Sequence, residues 1–247
     1  MTGVQTCALP ILGEAEFADA AFGGAGIAAG DVVPEAWMLE PAAPERERPR
    51  LIRPSDAAQA EEPSVYSPQG LSSAARFRRG NLVHALLAKL PQVEPLQRHA
   101  AAEKYLTAHG VARSDAGPLI DETLAVIAHP EFAPAFAPTS RAELAIMADL
   151  PEIAEGARVS GRIDRLAISD TEVLAVDFKT NRPPPTRAQD VPVLYIAQMA
   201  LYRAALAKIF PGRRIAAALV WTDGPSLMRL GDEMLDAEIA RLKARKL

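Results

Sequence analysis

The sequence predicts an α/β fold in which a mixed central sheet is flanked by helices and preceded by a helical segment and a disordered linker. Apolar residues recur at helical spacing between residues 76 and 130, and after Pro138 the pattern changes to short apolar runs typical of strands. Two further helical stretches then alternate with strand-like runs. The predicted order of elements is therefore ααα–βββ–α–ββ–α, in which helices and strands share one core.

Composition divides the chain into three segments. Residues 1–11 include TGVQTCALPI, which resembles the in-frame translation of a sequencing-library adapter, so we interpret them as an artefact and expect the native protein to continue upstream. Residues 12–75 are rich in Ala, Gly, Pro and acidic residues without a period of 2 or 3.6, which is typical of a disordered linker. Residues 76–247 form the predicted folded domain.

Helix signals fill the first half of this domain. The stretch RFRRGNLVHALLAKL is followed by Pro91, which ends the pattern, and its apolar residues at helical spacing are Phe77, Val83, Leu86, Leu87 and Leu90. A second helix is predicted over EPLQRHAAAEKYLTAHG, with Gly110 as its stop signal, and a third over PLIDETLAVIAHP.

Strand signals dominate the second half. RAELAIMADL, ARVSGRIDRLAIS and TEVLAVDFKT have strand patterns, and the polar SDTE between the last two predicts an antiparallel hairpin. A long helix over VPVLYIAQMALYRAALAKIF is closed by Pro211 and Gly212. RIAAALVWT is then a predicted buried strand, SLMRL a short strand and DEMLDAEIARLKARKL a final amphipathic helix.

Composition also excludes several classes of protein. The single cysteine, Cys7, excludes an internal disulfide and an iron–sulfur cluster or zinc site built from several thiolates. No run approaches the ~18 apolar residues of a membrane-spanning helix and no secretory leader is recognisable, so we expect a cytoplasmic protein without a membrane partner. Residues 12–65 carry a net charge of −7, which leaves +3 for the rest of the chain and is compatible with binding a phosphate backbone.

The predicted hairpin concentrates charge at one place. Asp177 and Lys179 end an apolar strand and point to the same face, because successive strand residues face opposite sides. A turn centred within SDTE places Asp164 directly opposite Asp177 and Ile163 opposite Phe178. Two carboxylates ~5 Å apart repel each other, so we expect a positive charge between them.

Two interpretations of this charge remain open. Lys179 supplies part of the positive charge, and a divalent cation such as Mg²⁺ or Mn²⁺ would supply more, since both ions prefer carboxylate oxygens. In that case Asp177 holds the metal and Lys179 polarises the attacking water or stabilises the charge on a phosphate. The alternative is a set of ordinary ion pairs at the strand ends, with Asp164 bound to Arg162 or Arg165 and Asp177 bound to Lys179.

Three ordered motifs carry a resemblance to a known family. SGRIDRLAI, VLAVDFKTNRPPP and IAQMALYRAAL contain Gly-x-x-Asp-Arg, Asp-x-Lys and Gln-x-x-x-Tyr in that order. Together they resemble the RecB-type nuclease module of the PD-(D/E)XK superfamily, which has a restriction-endonuclease-like core. Within it they are most similar to the C-terminal domain of AddA subunits of bacterial AddAB helicase–nucleases. The resemblance extends from RPS at residue 53 to the short strand that ends at residue 230.

The resemblance implies a set of site residues. It assigns Asp164 and Asp177 as catalytic metal ligands and Lys179 as the catalytic lysine. It matches His84, in RRGNLVHALLAKLP, to the upstream histidine that completes the metal site in this subgroup. Glu143 falls where such domains often have an acidic residue ahead of the Asp strand, and it is a further candidate ligand.

Candidate substrate contacts lie on neighbouring elements. Gln198 and Tyr202 match the helix motif and lie four residues apart, so they share a helical face and suit hydrogen bonding to the site or to DNA. The candidate phosphate contacts are a basic cluster ahead of the His84 helix and an arginine after the Asp177 strand: Arg76, Arg78, Arg79 and Arg182.

Each candidate has an ordinary alternative: a core-packed histidine, a solvated strand-edge acid, semi-buried helix residues and solvated arginines. His99, His109 and His129 show no ligand spacing and are predicted to be surface residues.

The resemblance implies a metal-dependent DNA exonuclease that acts on a single strand delivered from a duplex end during double-strand break repair. Such a domain follows a helicase motor and works with an AddB-type subunit. The sequence lacks a Gly-x-x-x-x-Gly-Lys-Ser/Thr loop, so ATP would be used only by a motor upstream. The alternatives are an inactive nuclease-like domain that binds DNA or braces a partner subunit, and an unrelated α/β domain.

Overall fold

The computed structural model describes residues 49–55 and 73–244. Within these ranges the predicted order of helices and strands is confirmed, and one short strand precedes it. The helices are α1 (Ser73–Lys89), α2 (Arg98–Ala108), α3 (Arg113–Ala128), α4 (Val193–Ile209) and α5 (Asp232–Ala244). The strands are β1 (Arg50–Ile52), β2 (Arg141–Asp149), β3 (Ala157–Ile168), β4 (Glu172–Lys179), β5 (Arg214–Trp221) and β6 (Ser226–Leu230).

Helix boundaries follow the predicted stop signals more closely than the start signals. Gly110 and Gly212 follow α2 and α4 with positive φ angles of 69° and 82°, as expected for glycines that end helices. α3 begins at Arg113, five residues before the predicted start, and therefore contains Pro118. α2 begins at Arg98 because Pro95–Gln97 forms a separate 3₁₀ turn. None of the helices that the structure describes is both long and apolar enough to cross a membrane.

The six described strands form one mixed sheet. Its path runs β1–β3–β4–β5–β6, and β2 also pairs with β3. β3 is antiparallel to β2 and β4, whereas β4 is parallel to β5 and is connected to it through α4. The predicted hairpin register is confirmed by four pairs, which join residues 165–168 to residues 173–176.

β1 lies inside the segment that composition indicated to be a linker. It pairs in parallel with residues 157–159, and Arg50 N donates a hydrogen bond to Gly156 O at 2.8 Å. A strand of three residues is too short to show a hydrophobic period, so its sequence does not distinguish it from a linker. The adapter-like residues 1–11 lie outside the described residues, and so do the residues assigned to the linker other than 49–55 and 73–75.

Helices cover both faces of the sheet. α4 and α5 pack on the face that carries Val173 and Ala175, and α1, α2 and α3 pack on the face that carries Leu174, Val176 and Phe178. β4 and β5 are therefore buried on both sides, which explains why their apolar runs are continuous instead of alternating.

Arg165 ties the helical layer to the sheet. Its side chain is buried, donates a hydrogen bond to Leu87 O at 3.0 Å and lies 5.0 Å from the centroid of the Phe136 ring. Burial lowers the pKa of this guanidinium, because the charged form loses contact with water. The Asp164 carboxylate is paired with His84, and the described residues show no ion pair between Arg165 and Asp164, so that alternative is wrong.

Candidate active site

The candidate site lies where β3 and β4 separate. The ladder between these strands ends at Arg165 and Val176, one residue before the predicted pair of aspartates. Beyond this point a side chain replaces the ladder, because Asp164 Oδ2 accepts a hydrogen bond from Phe178 N at 2.8 Å. Asp164 and Asp177 therefore lie beside a gap in the sheet and not in a regular cross-strand pair.

The predicted contact between Ile163 and Phe178 is wrong for the same reason. Ile163 lies in the core beneath α4, whereas Phe178 lies in the core beneath α1, α2 and α3. Once the strands separate, their residues no longer alternate in a common register. The gap is thus open to side chains from both helical layers.

Tyr202 fills one wall of the gap. Its ring is almost fully buried, and its hydroxyl donates a hydrogen bond to Arg162 O at 2.7 Å, a carbonyl on the part of β3 that β4 no longer pairs. A Cβ atom at Gly161 would lie 2.8 Å from Tyr202 Cε1 and 3.1 Å from Pro54 Cδ, so only glycine lets the ring lie this close to the strand. Tyr202 thus makes a contact within the site, and its predicted contact with DNA stays a prediction.

Side chains from three elements converge at the gap. His84 comes from α1, Glu143 from β2 and Asp164 from β3, and one ligand atom of each lies within 4.8 Å of the other two. His84 Nδ1 is 3.3 Å from Asp164 Oδ2. Imidazole nitrogen and carboxylate oxygen are both ligands for divalent first-row cations, so the group is chemically able to hold a metal ion.

Glu143 reaches this group through an unusual backbone conformation. Its φ angle is +50°, in the left-handed region that non-glycine residues rarely adopt. The β2–β3 ladder skips Glu143 and Asp164, although the residues on either side pair in register. Strain of this kind persists where surrounding structure enforces it and is frequent at functional sites. Glu143 also lies 3.5 Å from Arg162, so the ion pair expected between Arg162 and Asp164 is replaced by one with Glu143.

Lys179 is held by three groups beside the gap. Its Nζ lies 2.7 Å from Asp177 Oδ2, donates a hydrogen bond to Gln198 Oε1 at 2.9 Å and lies 3.9 Å from the centroid of the Tyr195 ring. The Tyr195 hydroxyl in turn donates to Asn181 Oδ1 at 3.0 Å. The ammonium group is therefore fixed in position, and the expected ion pair between Asp177 and Lys179 is present.

The pKa values of the two aspartates are shifted in opposite directions. Burial alone would raise the pKa of Asp164, but the His84 imidazolium and the Phe178 amide stabilise its carboxylate and hold that pKa below the usual range. Burial, with the nearby Asp164 charge, raises the pKa of Asp177 despite Lys179. Burial also opposes charge on His84 and Lys179, but Asp164 raises the pKa of His84 to about 9 and Asp177 raises the pKa of Lys179.

The raised pKa of His84 predicts a pH-dependent stability of the metal-free protein. His84 contributes most below its unfolded pKa of 6.5, and the contribution is lost as pH rises through about 9. In EDTA we expect the free energy of unfolding to fall by about 2 kcal/mol between pH 6.5 and 9.5, because the imidazolium–Asp164 pair disappears. Thermal unfolding of the 247-residue chain at several pH values measures this, and an unchanged pH profile in His84→Asn would contradict the assignment.

Glu122 binds two of the arginines that were predicted to contact phosphate. Its Oε2 accepts from Arg79 and, at 2.7 Å, from Arg182, while its Oε1 accepts from the Thr222 hydroxyl. Arg182 also lies 3.3 Å from Asp223. No local sequence pattern indicates Glu122, because its partners lie 43, 60 and 100 residues away. Tyr195 and Asn181 were also missed, although Tyr195 lies three residues before Gln198, at a spacing that shares its helical face.

The other histidines lie elsewhere. His99 and His109 are exposed, as predicted. His129 is instead half-buried, because its ring stacks on Phe132 with 4.3 Å between centroids. Among the described residues, His84 is the only histidine in a group that could hold a metal ion.

The donor set fits a divalent cation. Asp177 lies outside the group formed by His84, Glu143 and Asp164, yet its Oδ2 is buried and accepts no hydrogen bond of good geometry from the described residues. Its short contact with Lys179 is therefore mainly ionic. Two acidic ligands, one histidine and an unsatisfied carboxylate oxygen nearby together favour Mg²⁺ or Mn²⁺ over a thiolate-preferring metal.

Comparison with known proteins gives the family. No curated protein matches the sequence. Among solved structures, the chain is similar to a candidate exonuclease from Eubacterium rectale, with 11% identity, 68% of this chain and 69% of that chain covered, and a TM-score of 0.44. It is also similar to SSO0001, with 12% identity, 71% and 85% covered, and a TM-score of 0.34. A sequence profile of the PD-(D/E)XK nuclease superfamily matches residues 60–243, and the chain therefore belongs to that superfamily.

Proposed function

We propose that the chain is a divalent-metal-dependent deoxyribonuclease domain that hydrolyses phosphodiester bonds of a DNA strand. The observation that carries the proposal is the convergence of His84, Glu143 and Asp164 within 4.8 Å, beside the buried pair of Asp177 and Lys179. Buried charges destabilise a fold unless they are well paired. A buried ion pair beside three further charged or titratable side chains, in a member of a nuclease superfamily, favours a catalytic centre over a scaffold.

The residues of the gap have separate tasks in this proposal. His84, Glu143 and Asp164 hold the cation, and Asp177 offers a further carboxylate oxygen. When bound, the cation supplies Lewis acidity toward a phosphate oxygen and lowers the pKa of a coordinated water. Lys179 presents a fixed positive charge to the negative charge that develops on the phosphate. Asp177 and Gln198 keep its Nζ in position, and Tyr202 keeps the unpaired segment of β3 in place.

Mg²⁺ is the cation that we propose, with Mn²⁺ as a substitute. Carboxylate oxygens suit Mg²⁺, which keeps several waters of its own, and the single imidazole is compatible with Mn²⁺.

We also propose the finer assignment to the C-terminal nuclease domain of an AddA-type helicase–nuclease. Its support is the order of the three motifs and the presence of His84 upstream of them. On this assignment the substrate is a single strand delivered from a duplex end during double-strand break repair. An upstream helicase motor uses the ATP, and an AddB-type subunit is the partner.

A cleavage assay with two forms of one strand tests the proposed function. The 247-residue chain is incubated with labelled single-stranded DNA, either linear or closed into a circle, in Mg²⁺, Ca²⁺ or EDTA. We expect the linear strand to be degraded in Mg²⁺ only, because an exonuclease needs an end, and we expect Ca²⁺ to compete without supporting cleavage. Cleavage of the circle would contradict the exonuclease assignment. Binding of DNA without cleavage of either form would favour the inactive alternative.

A further inference from the structure

We infer that Phe77 forms a stacking site for an unpaired base of the DNA strand that enters the candidate active site. The inference rests on the proposed function. Phe77 lies in the second turn of α1, and 68% of its surface is exposed, although its spacing in the sequence groups it with apolar residues that the structure buries. The other large exposed apolar side chains in the described part of the chain are aliphatic or methionine, so Phe77 is the one aromatic ring among them.

Helix geometry places Phe77 beside the site. Phe77 and His84 are seven residues apart on α1, so they lie on the same face of the helix, about 10 Å apart along its axis. Gly80 lies between them and approaches the end of β4 closely, since a Cβ atom there would lie 3.2 Å from Thr180 Oγ1. Thr180 directly follows Lys179 in the chain. This end of α1 therefore runs along the end of β4, with Phe77 at its outer edge.

The charge around Phe77 fits a nucleic acid strand. Arg76 and Arg78 flank it in the sequence, and the first turn of α1 contains no acidic residue. Arg78 is exposed and donates to the carbonyl oxygens of His109 and Gly110, which holds its charge at this surface. A positive surface with an exposed ring offers both of the contacts that a single strand makes, namely phosphate attraction and base stacking.

The occupant that this surface fits is a single strand and not a duplex. A duplex presents phosphates at its outside but keeps the faces of its bases stacked along its length, so an exposed ring finds a partner only on the terminal base pair. A single strand leaves base faces free, and stacking tolerates any base because each has a π-face. Phe77 thereby favours unpaired DNA without reading its sequence.

The position also permits a clean test, because Phe77 does not support the core. α1 is anchored through Val83, Leu86 and Leu87, which are almost fully buried, whereas Phe77 is mostly exposed. Phe77→Ala is therefore expected to fold as the wild type does. Phe77→Trp keeps a ring, and Leu96→Ala removes an even more exposed apolar side chain away from the site, so the two serve as matched variants.

The experiment measures binding of a labelled single-stranded oligonucleotide by the 247-residue chain in Ca²⁺, together with its cleavage in Mg²⁺. A second set of oligonucleotides carries one abasic nucleotide at successive positions. We expect Phe77→Ala to weaken binding about tenfold, within the range of one base–ring stack, while Phe77→Trp and Leu96→Ala bind as the wild type does. One abasic position should weaken binding by the wild type to a similar extent and have little further effect on Phe77→Ala, because the two changes remove the same contact.

The outcomes separate this inference from the proposed function. Two results would overturn the stacking site alone if the wild type cleaves DNA. The first is unchanged DNA binding by Phe77→Ala, and the second is an abasic position that weakens binding by Phe77→Ala as much as it weakens binding by the wild type. A protein partner would then be the occupant to seek. A wild type that neither binds nor cleaves DNA would overturn the proposed function and the stacking site together.

Discussion

Replacing Lys179 by methionine is expected to lower the single-turnover rate of DNA cleavage in Mg²⁺ by about 10²–10³-fold, the usual loss when one preorganised electrostatic group is removed. The ammonium group is fixed by Asp177 and Gln198 and lies over the Tyr195 ring, so its charge is already in position before the phosphate arrives. Methionine keeps an unbranched apolar stem beside that ring but carries no charge. The measurement is cleavage of a labelled single strand with enzyme in excess.

The same substitution leaves the buried Asp177 carboxylate without its cation. Removing one partner of a buried pair typically destabilises a protein by about 3–5 kcal/mol, and protonation of Asp177, whose pKa is already raised, relieves part of this. Retained binding of Mn²⁺ shows that Lys179→Met is folded at the site, because lysine is not a proposed ligand. Lys208→Met is the matched control. Lys208 lies on the same helix as Gln198, and its replacement breaks only an exposed ion pair with Glu152. Cleavage by Lys179→Met at the wild-type rate would contradict the catalytic role.

Replacing Asp164 by asparagine is expected to abolish metal binding at the site and cleavage with it. Asparagine has the same shape and can still accept the hydrogen bond from Phe178 N, so the fold should persist. It removes the negative charge that pairs with His84 and that a cation needs. The loss of affinity should exceed the roughly 10–100-fold seen when a group behind a metal ligand is removed. Metal titration by calorimetry, alongside cleavage at several Mg²⁺ concentrations, measures it.

Asp164→Asn should also change the pKa of His84, which is measured in the metal-free protein. Without the carboxylate beside it, His84 should lose the shift that raises its pKa to about 9, and the pKa should fall to 6.5 or below because burial then dominates. Titration of the His84 ring by NMR in EDTA measures this. Asp149→Asn, at an exposed carboxylate paired with Arg158 on the neighbouring strands, is the control. Cleavage by Asp164→Asn at the wild-type rate would contradict the proposed ligand set. A His84 pKa that stays near 9 in this variant would contradict the pairing of His84 with Asp164.

The parts of this structure that the sequence predicted are those set by local periodicity. β4 and α4 are long and strongly patterned, and the short loop between β3 and β4 fixes the register of the hairpin up to Arg165 and Val176. The superfamily followed from three motifs with fixed spacing, and it is confirmed by the profile match. AddA-type identity and the individual roles of His84 and Lys179 remain predictions.

The parts that the sequence did not predict depend on long-range contacts and on backbone strain. Where β4 leaves β3 is decided by side chains that fill the gap, such as Tyr202 from a helix 40 residues further along, and a periodic pattern carries no information about them. The positive φ of Glu143 occurs where the β2–β3 ladder skips Glu143 and Asp164, a backbone feature that no local sequence pattern indicates. Glu122 likewise finds its hydrogen-bond partners only when α1, α3 and the end of β5 come together in the fold.

The most direct test of the proposed metal site is an anomalous diffraction measurement on crystals of the 247-residue chain soaked in Mn²⁺. The account predicts a manganese peak in the gap between β3 and β4, about 2.0–2.4 Å from a ring nitrogen of His84 and from one carboxylate oxygen each of Glu143 and Asp164. A soaked crystal that binds Mn²⁺ elsewhere but shows no peak at these three residues would contradict it.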